Sequence, residues 1–239
     1  MESTLPLSFE DYDKTAYLLK FGKKKHLEEL KNGRIRFSNL EIYKDYENNK
    51  SIGDSDEGLT DILQQKDIMQ IIFSHPLINS GKSIDVTNQI KEVKNYVNLH
   101  KYISCFTYFT QKDILEKSIF SDQILEEEEW DYVLWIMNSN KVVNELMSKL
   151  NKYNVKFGKV NYLDYSQSHH NLNEFSKSKN YEYQKEIRFS ISYNGESEDF
   201  IKRVNEKTIE ITIEPLQAVI IPTKEFREGF IIEYYKEGK

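Results

Sequence analysis

The segment Tyr181-Glu-Tyr-Gln-Lys-Glu-Ile-Arg-Phe-Ser-Ile191 carries the densest chemistry in the chain. Gln184 and Glu186 stand two residues apart. In an extended strand that spacing puts both on one face, opposite Lys185 and Ile187. Arg188 shares the face of Glu186. A carboxylate fixed where a polar turn feeds an apolar strand can stabilise positive charge developing on a sugar carbon, as in glycoside cleavage. The same Glu186 and Arg188 also read as a plain salt bridge at a sheet edge. Phe106, Tyr108 and Tyr183 are flat aromatics that can stack on a planar heterocycle or pack in the core. Lys20, Arg34, Arg36 and the Lys23-Lys24-Lys25 run offer cations for phosphate groups, or a solvated helix start.

Other constellations read as weaker signals. Asp54, Asp56 and Glu57 lie between Gly53 and Gly58 and resemble a cation loop, but lack the ligand spacing of an EF-hand. They read as a solvated turn or a substrate-facing loop. His169 and His170 are adjacent, point apart on a strand, and have no partner ligands at zinc spacing. Cys105, in an apolar run, reads as a small buried hydrophobe. No phosphate-binding glycine loop of the Walker or Rossmann kind is present.

Composition bounds the classes open to the chain. It has 239 residues and 28.4 kDa, with 33 Lys+Arg against 39 Asp+Glu, a net charge of −6. That balance argues against coating nucleic acid by bulk charge, while leaving room for a local basic patch. Aromatics at 13% are too many for a disordered chain. The one cysteine excludes an internal disulfide and a cysteine-rich zinc cluster. No apolar run reaches the roughly 18–20 residues of a membrane span, and no secretory signal is visible, so the expected compartment is the cytoplasm. With no Gly/Ser/Pro linker, residues 1–239 read as one domain.

Elements must position these groups. Ala16–Phe21 reads as a strand ended by Gly22, Lys23–Lys31 as a helix stopped by Asn32-Gly33, and Arg34–Ser38 as an alternating strand. Glu41–Gln65 reads as polar and acidic with a turn-rich loop at Gly53–Gly58, Ile68–Phe73 as a strand, Val86–Leu99 as a helix, and Glu126–Glu129 as a solvated turn or helix start. Tyr102–Phe109 and Asp131–Ile136 read as strands, with a helix capped by Asn138 or Ser139 running through Val142, Leu146 and Leu150. Val155–Tyr162, Ile187–Ile191, Ile209–Ile213, Ala218–Ile221 and Phe230–Tyr234 make the last third strand-rich. Without a regular βα repeat, the pattern predicts an α+β class.

In chain order, Tyr17-Leu-Leu-Lys-Phe-Gly22, Ser104-Cys-Phe-Thr107, Trp135 and Gln184-Lys-Glu-Ile-Arg188 resemble the ADP-ribosyltransferase superfamily. More narrowly, they are similar to bacterial proteins built on a Cys-Phe-Ser-like strand, a Trp-containing strand and a late Gln-x-Glu-x-Arg strand. The resemblance spans most of the chain. It implies a split β-sandwich of mostly antiparallel strands with flanking helices. It also implies NAD as co-substrate and transfer of ADP-ribose to RNA or protein. The implied role is that of a bacterial toxin or anti-phage effector, with an antitoxin as a possible partner.

By the resemblance, Glu186 is the catalytic glutamate and Gln184 the upstream residue that orients the acceptor. Ser104 and Thr107 support the cofactor pocket and Arg188 is a further contact of the dinucleotide, while Phe106, Tyr108 or Tyr183 could stack on nicotinamide or pack in the core. The family's first strand holds the dinucleotide through an Arg or His. Tyr17–Phe21 has neither, which leaves Lys20, Arg34 and Arg36 as candidates. Two rival readings stand beside it. One is a non-catalytic nucleotide- or protein-binding module, and the other a metal-dependent nuclease using Asp54, Asp56 and Glu57.

Overall fold

A computed structural model describes residues 17–45, 56–67, 92–96, 100–110, 113, 130–196 and 198–227. The expected strands at Ile68–Phe73 and Phe230–Tyr234, the Glu126–Glu129 turn and Asp54 lie outside these residues.

The first strand, β1 (Tyr17–Gly22), is followed by α1 (Lys24–Lys31), β2 (Arg34–Asn39) and α2 (Glu41–Asp45). Next come β3 (Leu59–Gln64), β4 (Glu92–Tyr96), β5 (Lys101–Phe109), β6 (Tyr132–Ile136) and α3 (Ser139–Lys149). The rest is β7 (Lys156–Lys159), β8 (Asn161–Leu163), β9 (Ser176–Ser178), β10 (Glu186–Ser192), β11 (Ile201–Asn205), β12 (Thr208–Thr212), β13 (Ala218–Pro222) and α4 (Thr223–Arg227). One reading needs correction. Residues 92–96 form a strand of a two-stranded sheet with β3, where a helix was expected. Glu41–Asp45, read only as part of a polar, acidic stretch, is a short helix.

The protein is mixed α+β, with mostly antiparallel strands and few helices among the described residues. Among the described residues its main sheet has nine strands, in the order β11-β12-β2-β5-β1-β6-β13, with β10 joining β5 to β7. The pairing around β5 decides the architecture. β10 runs along one edge of β5 from Lys101 to Thr107. The other edge is shared. β2 pairs with Tyr102 and Ile103, β1 pairs with Thr107–Phe109, and Ser104–Phe106 lie between them. From there the β2-β12-β11 and β1-β6-β13 arms diverge, and the sheet splits.

Alternating side chains fill both faces of the β1 arm. Leu18 joins the main core with Leu134, Ile136, Leu146, Ile187 and Phe189, while Leu19 joins a second cluster with Phe109, Val133 and Trp135. α1 buries Leu27 and Leu30, spaced i, i+3, on the main core. α3 buries Val142, Val143 and Leu146 there. The expected side-chain cap of α3 does not form. The Ser139 hydroxyl instead donates to the Ile136 carbonyl and accepts the Leu18 N–H, both at 3.0 Å, tying the helix start to β1.

Gly33 ends α1 with φ +82°, and a Cβ there would sit 2.2 Å from the Ile213 carbonyl oxygen. Ile213 N–H donates to the Gly33 carbonyl at 2.9 Å, so the backbones meet closely at this point. Gly33→Ala is expected to cost about 2 kcal/mol or more, combining positive-φ strain with overlap. Urea titration checks this, and a change below about 0.5 kcal/mol would contradict the close approach. No helix among the described residues is long and apolar enough to cross a membrane.

Candidate functional site

A cavity of about 470 Å³ opens where the sheet splits. Lys20 directly follows Leu19, the residue of β1 paired with Thr107, so it enters the gap as β1 leaves β5. Its ammonium donates to the Cys105 carbonyl and stands 5.4 Å from the Phe106 ring centroid. That bond uses one of its three donors. Ser104, Cys105, Phe106 and Thr107 form the floor, and Lys23, Arg34, Arg36 and Trp130 reach the outer wall. Arg36 is exposed and pairs with Glu29 at 2.7 Å.

Glu186 and Gln184 line the same wall, but not by the expected geometry. Lys179–Gln184 forms a 3₁₀ helix, and Lys185 takes a left-handed conformation (φ 42°) that turns the chain into β10. Gln184 is therefore not on a strand with Glu186. The helix end and the turn bring both side chains to the cavity. The ion pair of Glu186 with Arg188 exists, at 2.6 Å, but it is buried in mid-sheet rather than at an edge, because β10 lies between β5 and β7.

Arg188 is the most enclosed charged side chain among the described residues, 1% exposed. Nε donates to Glu186 Oε1 at 2.6 Å. One terminal nitrogen donates to Glu57 Oε1 (2.5 Å) and the Glu174 carbonyl (2.7 Å), the other to Glu57 Oε2 (2.9 Å) and Glu186 Oε2 (3.2 Å). A guanidinium has five N–H donors, and all five are used here. Arg188 lines the cavity, but this set of bonds weighs against its reading as a dinucleotide contact. It fastens two carboxylates and has no donor left for a phosphate. Glu57, read as part of a solvated turn, is 2% exposed and lines the cavity. Asp56 pairs instead with Lys94 at 2.8 Å. Among the described residues no three His, Cys, Asp or Glu side chains converge as metal ligands.

Glu186, 6% exposed, also accepts from Lys177 Nζ at 3.1 Å. Burial pushes its carboxyl up, but Arg188 and then Lys177 outweigh it and hold the group well below the ordinary carboxylate value of 4.5. The same surroundings push neighbouring acids up. Burial and then the Glu186 charge raise the Cys105 thiol and the Tyr162 phenol, and burial, Cys105 and Glu186 raise the Tyr43 phenol. Cys105 is thus held as a thiol beside the carboxylate.

A carboxyl depressed in the folded state stabilises the fold above its unfolded pKa and loses that contribution as pH falls toward the folded value. Unfolding free energy is therefore expected to drop as pH falls below about 4.5, and the acid slope should be shallower in Glu186→Gln. Denaturant titrations at stepped pH measure both slopes. Superimposable profiles would show that Glu186 is not held ionised.

Not every predicted residue reaches the cavity. Tyr108 lies beneath the Lys159 ammonium, 4.4 Å from its ring centroid, and Tyr183 packs on the Leu19–Trp135 cluster. Phe106 touches the cavity but is a core residue, edge-to-face with Phe189 at 6.1 Å. Thr107 stands opposite Glu186 in the ladder and Ser104 opposite Phe189, and both line the cavity. His169 and His170 lie away from the cavity, near Asp164 and Asp61.

The sequence reading missed Lys177, Tyr162 and Tyr43, and named Glu57 only with Asp54 and Asp56, not as the partner of Arg188. Lys177 sits in Ser-Lys-Ser-Lys, which looks like a solvated run. Glu57, directly before Gly58 and an apolar Leu59, had only its position at a loop-to-strand junction as a signal.

Six Lys or Arg and three Glu line the cavity, in a chain of net charge −6. The arrangement can receive an anion beside a fixed carboxylate. No protein family, curated protein or solved structure matches the chain.

Proposed function

We propose that the protein is an NAD-dependent ADP-ribosyltransferase, with an ADP-ribosyltransferase-like split β-sandwich, that transfers ADP-ribose to RNA or protein. The observation that carries this reading is the cavity in the split sheet, where Glu186 is fixed and cations outnumber carboxylates two to one. A volume near 470 Å³ falls within the range of about 300–1,000 Å³ typical of small-molecule sites. A cleft lined with one sign of charge concentrates ligands of the other sign.

NAD supplies the bond between ribose C1′ and nicotinamide, whose cleavage releases a neutral base. Nicotinamide leaves with the bonding electron pair, so no acid is needed to protonate it. Glu186 stabilises the positive charge that develops at C1′, and Arg188 and Lys177 keep it ionised and fixed. Lys20 supplies a charge near the pyrophosphate as a point cation, where Arg would form two parallel bonds. Arg34 and Arg36 stand at the outer wall for phosphates or for the acceptor. A toxin or anti-phage role, with an antitoxin partner, follows from the resemblance alone.

One observation favours a second reading, a binding module without turnover. Both oxygens of Glu186 already accept bonds from cations within the protein. Mass spectrometry of RNA and protein from cells expressing the chain separates the two. The transferase reading expects the mass of ADP-ribose on one of these classes, missing in cells expressing Glu186→Gln. Unmodified RNA and protein, with NAD binding intact by calorimetry, would establish the module.

A further inference from the structure

We propose that Lys177, with Tyr162, is a positioning residue that holds Glu186 and Gln184 in the geometry the transfer uses; this rests on the transferase reading above. β8 and β9 form a separate two-stranded parallel sheet in which Tyr162 pairs with Lys177. Residues paired across neighbouring strands project to the same face. Both of these side chains end on Glu186. The Glu186 N–H donates to the Tyr162 hydroxyl at 2.9 Å, and Lys177 Nζ donates to Glu186 Oε2 at 3.1 Å. The small sheet thus grips one residue at its backbone and at its carboxylate.

Lys177 also joins the two residues that flank the turn. Its ammonium donates to Gln184 Oε1 at 2.8 Å and stands 4.7 Å from the Tyr181 ring centroid. Because Lys177 takes the amide oxygen, the Gln184 NH₂ is directed elsewhere, toward the Tyr183 hydroxyl at 3.4 Å. Arg188 contacts both Glu186 oxygens from its own strand. Lys177 adds a fixed cation from a different element, which restrains the carboxylate plane.

A lysine 7% exposed is an expensive way to fill a core, since apolar groups of similar volume are often as stable. Its charge does close the cluster. Glu57 and Glu186 balance Arg188 and Lys177. Glu186 faces Arg188 on its own strand, Lys177 on β9, Tyr162 on β8, Cys105 on β5, Tyr43 on α2 and, through Arg188, Glu57 ahead of β3. Without Lys177, two carboxylates share one guanidinium, and protonation of Glu186 becomes easier.

The test compares wild type, Lys177→Met and Lys177→Arg, each labelled with carbon-13 at the glutamate carboxyl, with the Glu186 signal assigned from its loss in Glu186→Gln. Nicotinamide release from NAD is followed against pH on the same samples. Lys177→Met is expected to raise the midpoint of the Glu186 titration. It should also lower kcat about 10- to 100-fold with KM for NAD within about threefold, and move the acid limb of the rate profile to higher pH. Lys177→Arg should restore most of each. If Lys177→Met does not fold, Lys177→Gln, which keeps a donor but no charge, is read instead. A folded variant with an unmoved carboxyl midpoint overturns the proposal, as does a moved midpoint with unchanged kcat. Wild type that releases no nicotinamide with cellular RNA and protein supplied as acceptors overturns the transferase reading, and the carboxyl titration then still decides whether Lys177 holds Glu186.

Discussion

Replacing Glu186 by Gln is expected to slow nicotinamide release from NAD by about 10²–10³-fold while leaving NAD bound. Gln matches the shape of Glu, so its amide oxygen can still accept from Arg188 or Lys177. What it lacks is the negative charge that offsets developing charge at the ribose carbon. Binding should survive because the cations that attract an anion, Lys20 and those of the outer wall, are untouched. The cluster gains one net positive charge, which favours a dinucleotide if it changes affinity at all. Calorimetry with NAD and a nicotinamide assay on folded protein check both halves. Equal turnover by the two proteins would remove Glu186 from the chemistry.

Arg188→Met is expected to destabilise the protein by about 3–5 kcal/mol, because it leaves Glu57 and Glu186 buried with one cation between them. For a chain of this length that lowers Tm by roughly 10 °C, at about 2–4 °C per kcal/mol. The charge balance gives a sharper expectation. Arg188→Met together with Glu57→Leu leaves Glu186 and Lys177 as one neutral pair. That double variant should be more stable than Arg188→Met alone, since the second change removes an unpaired buried carboxylate. Thermal melts of the three proteins read the sign. If the two losses simply add, Glu57 does not depend on Arg188.

The sequence made the two arms of the sheet legible, because their strands alternate or run apolar over five or more residues. Tyr102–Phe109 and Ile187–Ile191 are such runs that lie within strands, and Asp131–Ile136 begins one residue ahead of β6. α1 was legible from its i, i+3 leucines and the Asn32-Gly33 stop. Strands that bury little were not. β4 has mostly exposed residues, Glu92-Val-Lys-Asn-Tyr96, and gives no period-2 signal, so a helix was read there. β9 is three polar residues, all buried, and nothing in Ser-Lys-Ser suggests burial.

The site divides the same way. Glu186 and Arg188 were found from spacing within one strand, but their partners were not. Glu57 reaches Arg188 across 131 residues and Lys177 reaches Glu186 from a separate sheet, and such pairings arise only in the folded chain. Gln184 reached the cavity wall although the extended geometry assumed for it was wrong. A left-handed turn at Lys185, a residue type that seldom adopts one, did what a straight strand was expected to do. Arg188 was given by the resemblance as a dinucleotide contact, and only the full set of its bonds shows that its five N–H donors are used within the protein.

The most direct measurement is a crystal structure of Glu186→Gln grown with NAD, since this variant should bind the dinucleotide without cleaving it. Intact NAD is expected in the split between β1 and β2, with the nicotinamide ribose against residue 186 and the pyrophosphate toward Lys20. An empty cavity at millimolar NAD, or NAD bound on another face of the protein, would contradict the account.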